Sequence, residues 1–580
     1  MTHTAGQAIV DALEGEGVGH VYGLPGGHVL SIYDGLYASP SIRHILVRHE
    51  HAAACMAAAH AQLTGAPGVC LVTAGPGATN LLTGVAEAFV GSLPLIILSG
   101  RGSTATAHRG ASQEVATDQI FAPVTKWAVR VDRADLVPDV IRQAFTIARG
   151  GRPGPVLIDL PRDVLDTEIA RRPYVPAAPR PRPGGDPGQI DQAVAALLGA
   201  ERPLLIAGGG VLAAAAAAQV RELAELLAIP VLTSLAGRGS IPDDHPLSAG
   251  GLGAHRTRLS KRLLGEADVI LGLGTRFEEM ETNWTPSAVP SPQATYIQVD
   301  IEPAEIGRSV PAQIGIVGDL RTVLEQVLVQ LRARGGLAPG AFAEQERTRE
   351  VAEEIAQIDA ESEELARAEQ APMHPLAPIR AARAALPRKA TVAFDVGCLA
   401  QHMAGAAPHF KIYEPRTTIV PSSFYGMGFA AAALPAARVV HPDRPALCFV
   451  GDGSFQMVMT ILPVAAEHRL GVTWCVLDDG ALGSIRDIQQ YRFSDRIIGT
   501  EPAFQPDLAM LARACGCHGE RVTDRDDVAG AIDRALSANA DGVPAVLDFV
   551  VARERLLGSL EHYSFYPAEL IEAARAVPRG

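Results

Sequence analysis

Short apolar segments rich in β-branched residues alternate with longer segments of helical periodicity along the whole chain. The apolar segments of the first third are "HVYGL", "HILVR", "GVCLVTAG", "PLIILSG" and "GPVLIDLP"; those of the middle are "PLLIAGGG", "IPVLTSL", "DVILGLG" and "YIQVDI"; those of the last third are "ATVAFDVG", "ALCFVGDG", "VTWCVLDDG" and "AVLDFVV". Uninterrupted apolar strands that alternate with helices are typical of parallel sheets covered on both faces. The pattern predicts three doubly wound α/β domains, whose ligands bind at the carboxyl ends of the strands.

Two stretches of different composition divide the chain. The segment "RRPYVPAAPRPRPGGDPG" is rich in proline, arginine and glycine and predicts an extended linker, whereas the charged residues 341–370 predict an exposed connecting helix. The predicted organisation is a first domain at 1–172, a linker at 173–188, a central domain at 189–340, a connecting helix at 341–372, a third domain at 373–565 and a tail at 566–580.

Composition narrows the classes of protein and partner. The 580 residues are 48% hydrophobic and carry a net charge of −14, which indicates a folded protein and weighs against nucleic acid as a partner. The chain lacks an apolar run of about 18 residues, so no membrane span is expected. The N-terminal segment "MTHTAGQAIVDALEGEGV" resembles an amphipathic helix rather than a secretion signal. An odd number of cysteines, mostly in apolar runs, indicates reduced thiols in a cytoplasmic protein.

The last third contains two acidic strand ends with a spacing that suits a metal site. One buried strand ends in Gly451, Asp452, Gly453 and Ser454, and the next strand ends in "DDG", which contains Asp479. The glycines allow an anion to approach the backbone amides, and carboxylate oxygens are ligands for Mg²⁺. Either motif alone could be an ordinary turn, but the pair on adjacent strands predicts a cation that bridges a diphosphate.

A histidine-rich segment of the first third invites a different metal hypothesis. The segment "VRHEHAAACMAAAHAQ" contains His49, Glu50, His51 and His60. It does not fit the H-E-x-x-H pattern of a zinc helix, because Ala53 stands where the second histidine is required. We therefore interpret Glu50 as a single carboxylate at a strand end. The alanine-rich helix that follows predicts close packing against a neighbour, as at a dimer seam.

These motifs resemble those of the thiamine-diphosphate enzymes, and nearly the whole chain is similar to the acetolactate synthase branch. The resemblance rests on the "GDG" stretch and its spacing to "DDG", and on "VYGLPGGHVLSIYDG", "VTAGPGATNLLTGVAEAFVGSLPLIILSG", "LGLGTRFEE" and "YGMGFAAAALPAA". It implies a pyrimidine-binding domain, a central Rossmann-like domain and a diphosphate-binding domain. It also implies thiamine diphosphate and Mg²⁺ as cofactors.

The resemblance assigns roles to residues at matching positions. Glu50 matches the glutamate that hydrogen-bonds N1′ of the cofactor's aminopyrimidine, and Asp452, Asp479 and the carbonyl of Ala481 match the metal ligands. The usual asparagine pair is replaced by Asp478 and Asp479, which adds negative charge beside the diphosphate. The other positions expected to contact the cofactor are Gly26, Gly75, Gly397, Gln401, His402, Met427, Gly451, Gly453, Ser454 and Ile485.

The expected substrate pocket departs from the acetolactate synthase pattern. His28 and Gln113, which we predict to act with Glu50 in catalysis, match positions near the cofactor in benzaldehyde-lyase-like enzymes. The expected pocket residues are Ser112, Met280, Ser484 and Ile488. Ser112 stands for a phenylalanine, Ile488 for a tryptophan and Met280 for the arginine that binds the acceptor's carboxylate; Arg276 and Arg486 are the candidates to replace that arginine.

These departures predict a 2-keto acid decarboxylase and carboligase whose acceptor is bulkier than pyruvate or uncharged. The alternatives are a benzaldehyde-lyase-like acyloin lyase or carboligase, a flavin oxidoreductase of the pyruvate oxidase type, and a non-catalytic subunit. The relaxed glycine pattern of Gly208, Gly210 and Ala213 leaves FAD open, because Arg256 stands where the flavin-contacting segment usually has glycine. The expected partners are a small keto acid or aldehyde and a second copy of the chain, in a homodimer or homotetramer with active sites at the dimer interface.

Overall fold

The computed structural model of the chain describes residues 2–253, 256–282, 288–334 and 338–554, without the side chain of Tyr491. The predicted tail at 566–580 lies outside the described residues. Three six-stranded parallel sheets dominate the described part, together with one two-stranded sheet. The predicted class of three doubly wound α/β domains is confirmed.

The first domain, whose described part starts with a short strand followed by a capped helix, contains the first six-stranded sheet. Its strands are β1 (Thr2–Thr4), β2 (His20–Leu24), β3 (Arg43–Leu46), β4 (Gly68–Val72), β5 (Leu95–Arg101), β6 (Trp127–Arg130), β7 (Pro155–Pro161) and β8 (Glu168–Ala170). Its helices are α1 (Ala5–Gly15), α2 (Leu30–Ala38), α3 (Glu50–Thr64), α4 (Pro76–Val90), α5 (Thr117–Phe121), α6 (Val137–Arg149) and α7 (Arg162–Asp166). A reciprocal capping box between Thr4 and Gln7 fixes the start of α1. The sheet order is β3-β2-β4-β5-β7-β6, and β1 pairs with β8.

The central domain follows an irregular segment at 171–186. Its strands are β9 (Pro203–Ala207), β10 (Val231–Thr233), β11 (Ser248–Gly251), β12 (Val269–Leu273), β13 (Thr295–Asp300) and β14 (Ile314–Val317). Its helices are α8 (Pro187–Gly199), α9 (Gly209–Ala214), α10 (Ala217–Leu227), α11 (Arg258–Glu266), α12 (Glu279–Thr282) and α13 (Leu320–Arg334). The sheet order is β11-β10-β9-β12-β13-β14. The connecting helix is α14 (Glu346–Ala366).

The third domain repeats the strand order of the first. Its strands are β15 (Thr391–Phe394), β16 (Thr418–Ile419), β17 (Ala446–Gly451), β18 (Thr473–Asp478), β19 (His518–Val522) and β20 (Ala545–Val550). Its α-helices are α15 (Leu376–Ala385), α16 (Phe429–Ala433), α17 (Pro435–Val440), α18 (Asp452–Gln456), α19 (Ile461–Glu467), α20 (Gly483–Arg492), α21 (Leu508–Ala514) and α22 (Val528–Ala540), and Cys398–Ala404 forms a π-helix. The order β16-β15-β17-β18-β20-β19 corresponds strand for strand to that of the first domain.

The alanine-rich helix α3 joins the first and third domains within one chain. Ala53, Ala54, Ala57 and Ala58 are fully buried, and α3 packs against α16 and α17. Small side chains shorten the distance at which helices can pack, and the resulting core is continuous between the two domains. The close neighbour predicted for this helix is therefore present in the same chain. The prediction that the alanine face lies at a dimer interface is wrong, because α16 and α17 of the same chain cover that face.

Among the described residues, no helix combines the length and apolar character needed to cross a bilayer.

Candidate functional site

Many of the predicted site residues lie just after strands of the first and third sheets. In each sheet, these strands stand at the place where the strand order reverses. In the first sheet β2 and β4 are adjacent although β3 lies between them in sequence, and in the third sheet β15 and β17 are adjacent in the same way. The chain leaves the sheet in opposite directions at such a point, which opens a crevice beyond the carboxyl ends of the strands. Both crevices are lined by residues that the sequence singles out.

Glu50 is the first residue of α3 and is held there by a neighbouring helix. Its side chain is buried, with 7% of the residue exposed, and its Oε2 accepts a hydrogen bond of 2.8 Å from Nδ2 of Asn80 in α4. A carboxylate in the first turn of a helix is also stabilised by the helix dipole. Oε1 lies 3.6 Å from the position that a Cβ would take on Gly77. The carboxylate of Glu50 is therefore oriented by α4, which carries both Asn80 and Gly77.

The histidines beside Glu50 have local partners. His49 caps α3, and its Nδ1 accepts the backbone N–H of His51 at 3.2 Å. The ring of His51 contacts Sγ of Cys55 at 3.5 Å. Within the described ranges, no group of three or more His, Cys, Asp or Glu side chains is placed to hold a metal.

Thr73, which follows β4, packs under the turn that carries His28. Nδ1 of His28 lies 3.3 Å from Oγ1 of Thr73. A Cβ on Gly26 would come within 2.4 Å of Cβ of Thr73, so only glycine fits at position 26 without a shift. Partial burial, reinforced by the charge of Arg162, lowers the pKa of His28, which keeps the imidazole neutral near pH 7.

Gln113 packs against Gly75, the residue that precedes α4. Gly75 has a φ of +57°, and a Cβ there would lie 2.8 Å from Cβ of Gln113. Gln113 itself has a φ of +63° and is exposed, as is Ser112. The structure thus brings Gly26, His28, Glu50, Gly75 and Gln113 to one edge of the first sheet.

The acidic strand ends of the third domain lie side by side, as the spacing predicts. Strand β17 pairs with β18, so Asp452 and Asp479 leave neighbouring strands at the same edge. Burial, followed by repulsion from Asp479 and Asp478, raises the pKa of Asp452 to about 7. Burial likewise raises the pKa of Asp479 to about 6, and Arg553 opposes this shift. Two buried, mutually repelling carboxylates fit a divalent cation, whose charge would relieve both effects.

The remaining groups at this edge also suit a cation and an anion. The carbonyl-bearing residue Ala481 is buried, and its N–H donates to Oδ1 of Asp479 at 3.2 Å. Gly397, Gly451 and Gly480 border open space, because a Cβ on any of them would meet no atom within 4 Å. Open backbone beside a cation site fits the diphosphate group of a cofactor.

Two side-chain contacts join the loops around this edge. Oγ of Ser454 donates to the carbonyl of Val396 at 3.4 Å, and Sγ of Cys398 lies 2.9 Å from Oγ of Ser484. They connect the segment after β15 with α18, which follows β17, and with α20, which follows β18. Gly453 packs against Leu482, where a Cβ would come within 2.5 Å of Cδ2.

The loop that carries Met427 is fixed at both ends by buried carboxylates. Glu87, which reaches across from α4, accepts the N–H of Gly426 at 3.0 Å and the N–H of Ser422. Asp395 accepts the N–H of Gly428 at 2.8 Å. Met427 is half-buried between these two anchors.

Glu87, Asp395, Asn80 and Thr73 were missed by the sequence reasoning. Asp395 ends the apolar run "TVAF" of β15, the same signal that marks Asp452 after β17. The other three act through contacts with residues distant in sequence, and no local pattern marks them.

Gln401 and His402 lie in the π-helix and are buried, with exposures of 3% and 1%. Nε2 of His402 lies 2.6 Å from Oη of Tyr425, on the loop before Met427. This geometry makes His402 a support for that loop; its direct contact with a cofactor stays a prediction.

A cavity of about 520 Å³ lies at the carboxyl ends of the central strands, where the three domains meet. The order of the central sheet is that of dinucleotide-binding folds, whose crevice begins beside the first strand, here β9. Its lining includes Gly209, Gly210, Ser234, Arg276, Met280, Asp300, Asp319, Gln401, Arg416 and Tyr425. The cavity therefore reaches from the glycine turn after β9 to the loop before Met427. Arg256 is not part of this lining.

The two arginines considered as replacements at the acceptor site have other partners. Nη2 of Arg276 donates to the carbonyl of Val90 at 2.8 Å, and the guanidinium pairs with Glu278 at 3.0 Å. Arg486 pairs with Glu501 at 2.5 Å. Ser484, Ile485 and Ile488 all belong to α20, which follows the acidic edge, whereas Met280 belongs to the central cavity.

Comparison with known proteins adds an independent result. Three family models match: "Thiamine pyrophosphate enzyme, N-terminal TPP binding domain" at residues 3–121, the "central domain" at 190–327 and the "C-terminal TPP binding domain" at 395–549. A "Probable acetolactate synthase large subunit" of Methanocaldococcus jannaschii is 35% identical over 557 residues, which cover 94% of this chain and 91% of the relative. The "Acetolactate synthase isozyme 3 large subunit" of Escherichia coli is 36% identical over 543 residues, which cover 91% and 92%.

Proposed function

The chain belongs to the thiamine pyrophosphate enzymes, and we propose that it decarboxylates a 2-keto acid and joins the remaining acyl unit to the carbonyl carbon of a second substrate. The proposal rests on the polar groups at the carboxyl ends of two sheets. On the first sheet Asn80 fixes Glu50, and on the third sheet Asp452 lies beside Asp479. The first edge suits a pyrimidine ring and the second suits a diphosphate with its cation.

The residues present fit the cofactor, and each group has a definable task. Thiamine diphosphate, when bound, supplies an electron sink for the electron pair left by loss of CO₂. Glu50 would hold a proton at N1′ of the pyrimidine, and Asn80 keeps its carboxylate turned toward that atom. Asp452, Asp479 and the carbonyl of Ala481 would hold Mg²⁺. The open backbone at Gly397 and Gly451 would receive the diphosphate.

We propose that a complete site needs two chains. Among the residues described, no hydrogen bond or ion pair joins Glu50 to Asp452 or Asp479. Ile485, Ile498 and Phe504, all near or after the acidic edge, are 50%, 81% and 79% exposed. Apolar side chains exposed to this extent beside a functional edge suit an interface with a second copy. A homodimer or homotetramer with sites at the dimer interface follows.

We propose further that the acceptor is not simply a second pyruvate. Met280 lines the central cavity in place of the expected arginine; Arg276 lines the same cavity but its charge is paired with Glu278, and Arg486 is paired with Glu501. Loss of a charge-assisted grip costs about 1.5–3 kcal/mol of binding energy. Exposed Ser112 in place of an aromatic ring leaves room for a larger acceptor.

One incubation series tests both parts of this proposal. Purified protein, thiamine diphosphate and Mg²⁺ receive pyruvate alone or pyruvate with a panel of aldehydes and uncharged ketones. We expect CO₂ release with pyruvate and a mixed acyloin product when an uncharged acceptor is added. Efficient conversion of pyruvate alone into acetolactate would contradict the acceptor proposal. Cleavage of acyloins without CO₂ release would favour the benzaldehyde-lyase-like alternative.

A flavin-dependent oxidation is the second candidate, and the central cavity favours it. Its position in the central sheet suits a dinucleotide, and its lining extends to Gln401 and Tyr425 beside the cofactor loops. A yellow protein that is bleached by pyruvate would support this candidate. A bound but inert flavin would support a structural role for FAD, and a colourless protein with full carboligase activity would contradict both.

A further inference from the structure

The acidic pair that replaces the expected asparagines is matched by a pair of arginines. Nη1 of Arg521 lies 3.3 Å from Oδ2 of Asp478, and Nε of Arg553 lies 3.9 Å from Oδ2 of Asp479. Asp478 is not among the predicted metal ligands, whereas Asp479 is. The side chain of Asp479 is only 8% exposed, so solvent does little to screen its charge.

Arg553 is anchored independently of the carboxylate that it faces. It follows β20, the neighbour of β18, and its Nη2 donates to the backbone carbonyl of Asp479 at 2.9 Å. Its Nη1 donates to Oε1 of Glu501 at 2.9 Å. The guanidinium therefore keeps its place when the carboxylate of Asp479 turns toward a cation.

We propose that Arg553 is a positioning residue that offsets the extra negative charge of Asp479, so that an aspartate can replace asparagine at the cation site without repelling the diphosphate. The inference rests on the proposed function, because it assumes that this edge binds the cofactor. Arg521 plays the corresponding part for Asp478. The same guanidinium also pairs with buried Asp548, with Nη1 of Arg521 at 2.5 Å from Oδ2 of Asp548.

The proposal predicts effects of opposite sign on the two ligands. A guanidinium beside Asp479 repels a bare divalent cation and attracts the diphosphate, since unlike charges attract and like charges repel. Its removal should tighten the binding of the cation alone and weaken the binding of thiamine diphosphate at saturating cation. An arginine with a purely structural role would instead weaken both together.

The test compares Arg553→Gln with a matched control, Arg534→Gln. Arg534 lies in the same domain and pairs with Glu520, away from the acidic edge. Binding of Mn²⁺ alone is followed by electron paramagnetic resonance, and binding of thiamine diphosphate at saturating Mg²⁺ by calorimetry. We expect Arg553→Gln to raise the Kd of thiamine diphosphate about tenfold and to lower the Kd of Mn²⁺ about threefold. The control should leave both constants unchanged.

Rescue by a second substitution separates charge from structure. Adding Asp479→Asn to Arg553→Gln removes the charge that Arg553 offsets, so the affinity for thiamine diphosphate should return close to that of the wild type. Arg553→Lys, which keeps the charge, should bind both ligands nearly as the wild type does. If Arg553→Gln does not fold, Asp479→Asn alone serves: the uncompensated Arg553 should then tighten binding of thiamine diphosphate and weaken that of Mn²⁺.

Two results would overturn the inference. One is that Arg553→Gln matches the control in both constants, and the other is that both affinities fall together without rescue by Asp479→Asn. Failure of the wild type to bind thiamine diphosphate at all would instead overturn the proposed function, and the inference with it. The wild-type titration therefore tells the two failures apart.

Discussion

At the scale of single residues, the first-sheet site depends on a carboxylate and on the amide that orients it. Glu50 is buried at the start of α3, and Asn80 fixes one of its two oxygens. The carboxylate is the group that could be predicted from the sequence, because it matches a family motif. The amide could not, since it lies 30 residues further along and meets Glu50 only in the folded domain.

Substitutions at these two positions should differ in severity. Glu50→Gln removes the proton-holding group itself and should lower kcat by about 100-fold or more. Asn80→Ala leaves the carboxylate but frees its rotation, so we expect a loss in kcat of about 10-fold with little change in cation binding. Steady-state kinetics at saturating cofactor measures both effects. Equal losses for the two variants would show that Asn80 does more than orient Glu50.

At the scale of elements, α3 and α4 connect the first domain to the third. α3 packs on α16 and α17, and α4 carries both Asn80 at its start and Glu87 near its end. Glu87 accepts two backbone N–H groups of the loop before Met427, so one helix reaches from the Glu50 edge to the loop of the other domain.

Removing the charge of Glu87 should loosen the Met427 loop. In Glu87→Gln, an NH₂ group replaces one of the two carboxylate oxygens and cannot accept the backbone N–H that it faces. A buried N–H left without an acceptor destabilises the folded protein by about 1–3 kcal/mol. We expect a lower melting temperature and a higher Kd for thiamine diphosphate, with the Kd of Mn²⁺ alone unchanged. Thermal unfolding and calorimetry measure these changes. Glu364→Gln, on the exposed face of α14, is the control and should alter neither.

His60 on α3 gives the stability of the first domain a dependence on pH. Its Nδ1 lies 3.2 Å from Oη of Tyr22; burial lowers the pKa of His60 to about 4, and repulsion from His20 and His441 adds to the shift. The folded-state pKa lies below the usual value, so the unfolded chain binds the proton first as pH falls. Stability is therefore lost as pH falls from the unfolded pKa toward the folded one.

His60→Gln should remove this part of the acid sensitivity. Between about pH 7.5 and about pH 5, the wild type should lose about 2 kcal/mol more stability than the variant. Urea unfolding at the two pH values measures the difference. Equal losses for the two proteins would show that His60 is not the group responsible.

The sequence predicts the interior strands of the sheets better than the edge strands, and the reason is physical. The interior strands β4, β5, β12, β17 and β18 each contain a run of four or more residues that are apolar or glycine, because both of their faces are covered. The strands absent from the sequence reasoning include β6, β11, β14, β16 and β19, and each of these lies at an edge of its sheet. Edge strands are half-covered and can be short or polar, as in the "HGERV" of β19 and the two residues of β16.

At the scale of the whole molecule, the first and third domains contain two similar sheets, and the proposed function assigns a different half of the site to each. Their strand orders correspond, and α3 with α16 and α17 forms a core that holds them in one chain. The described contacts do not join Glu50 to Asp452. Two chains in opposite orientation would bring each half against the complementary half of the partner, as in an isologous dimer.

Complementation between inactive variants tests whether the site is shared. Glu50→Gln damages the pyrimidine edge, and Asp452→Asn damages the cation edge, so each homodimer should be inactive. A hybrid dimer has one site in which both defects meet and one site in which Glu50 of one chain faces Asp452 of the other, both intact. Hybrids isolated with two different affinity tags should therefore show about half of the wild-type activity. In a site built within one chain, every site of the hybrid would carry one defect. An inactive hybrid that still binds one equivalent of thiamine diphosphate would thus place Glu50 and Asp452 in the same subunit's site.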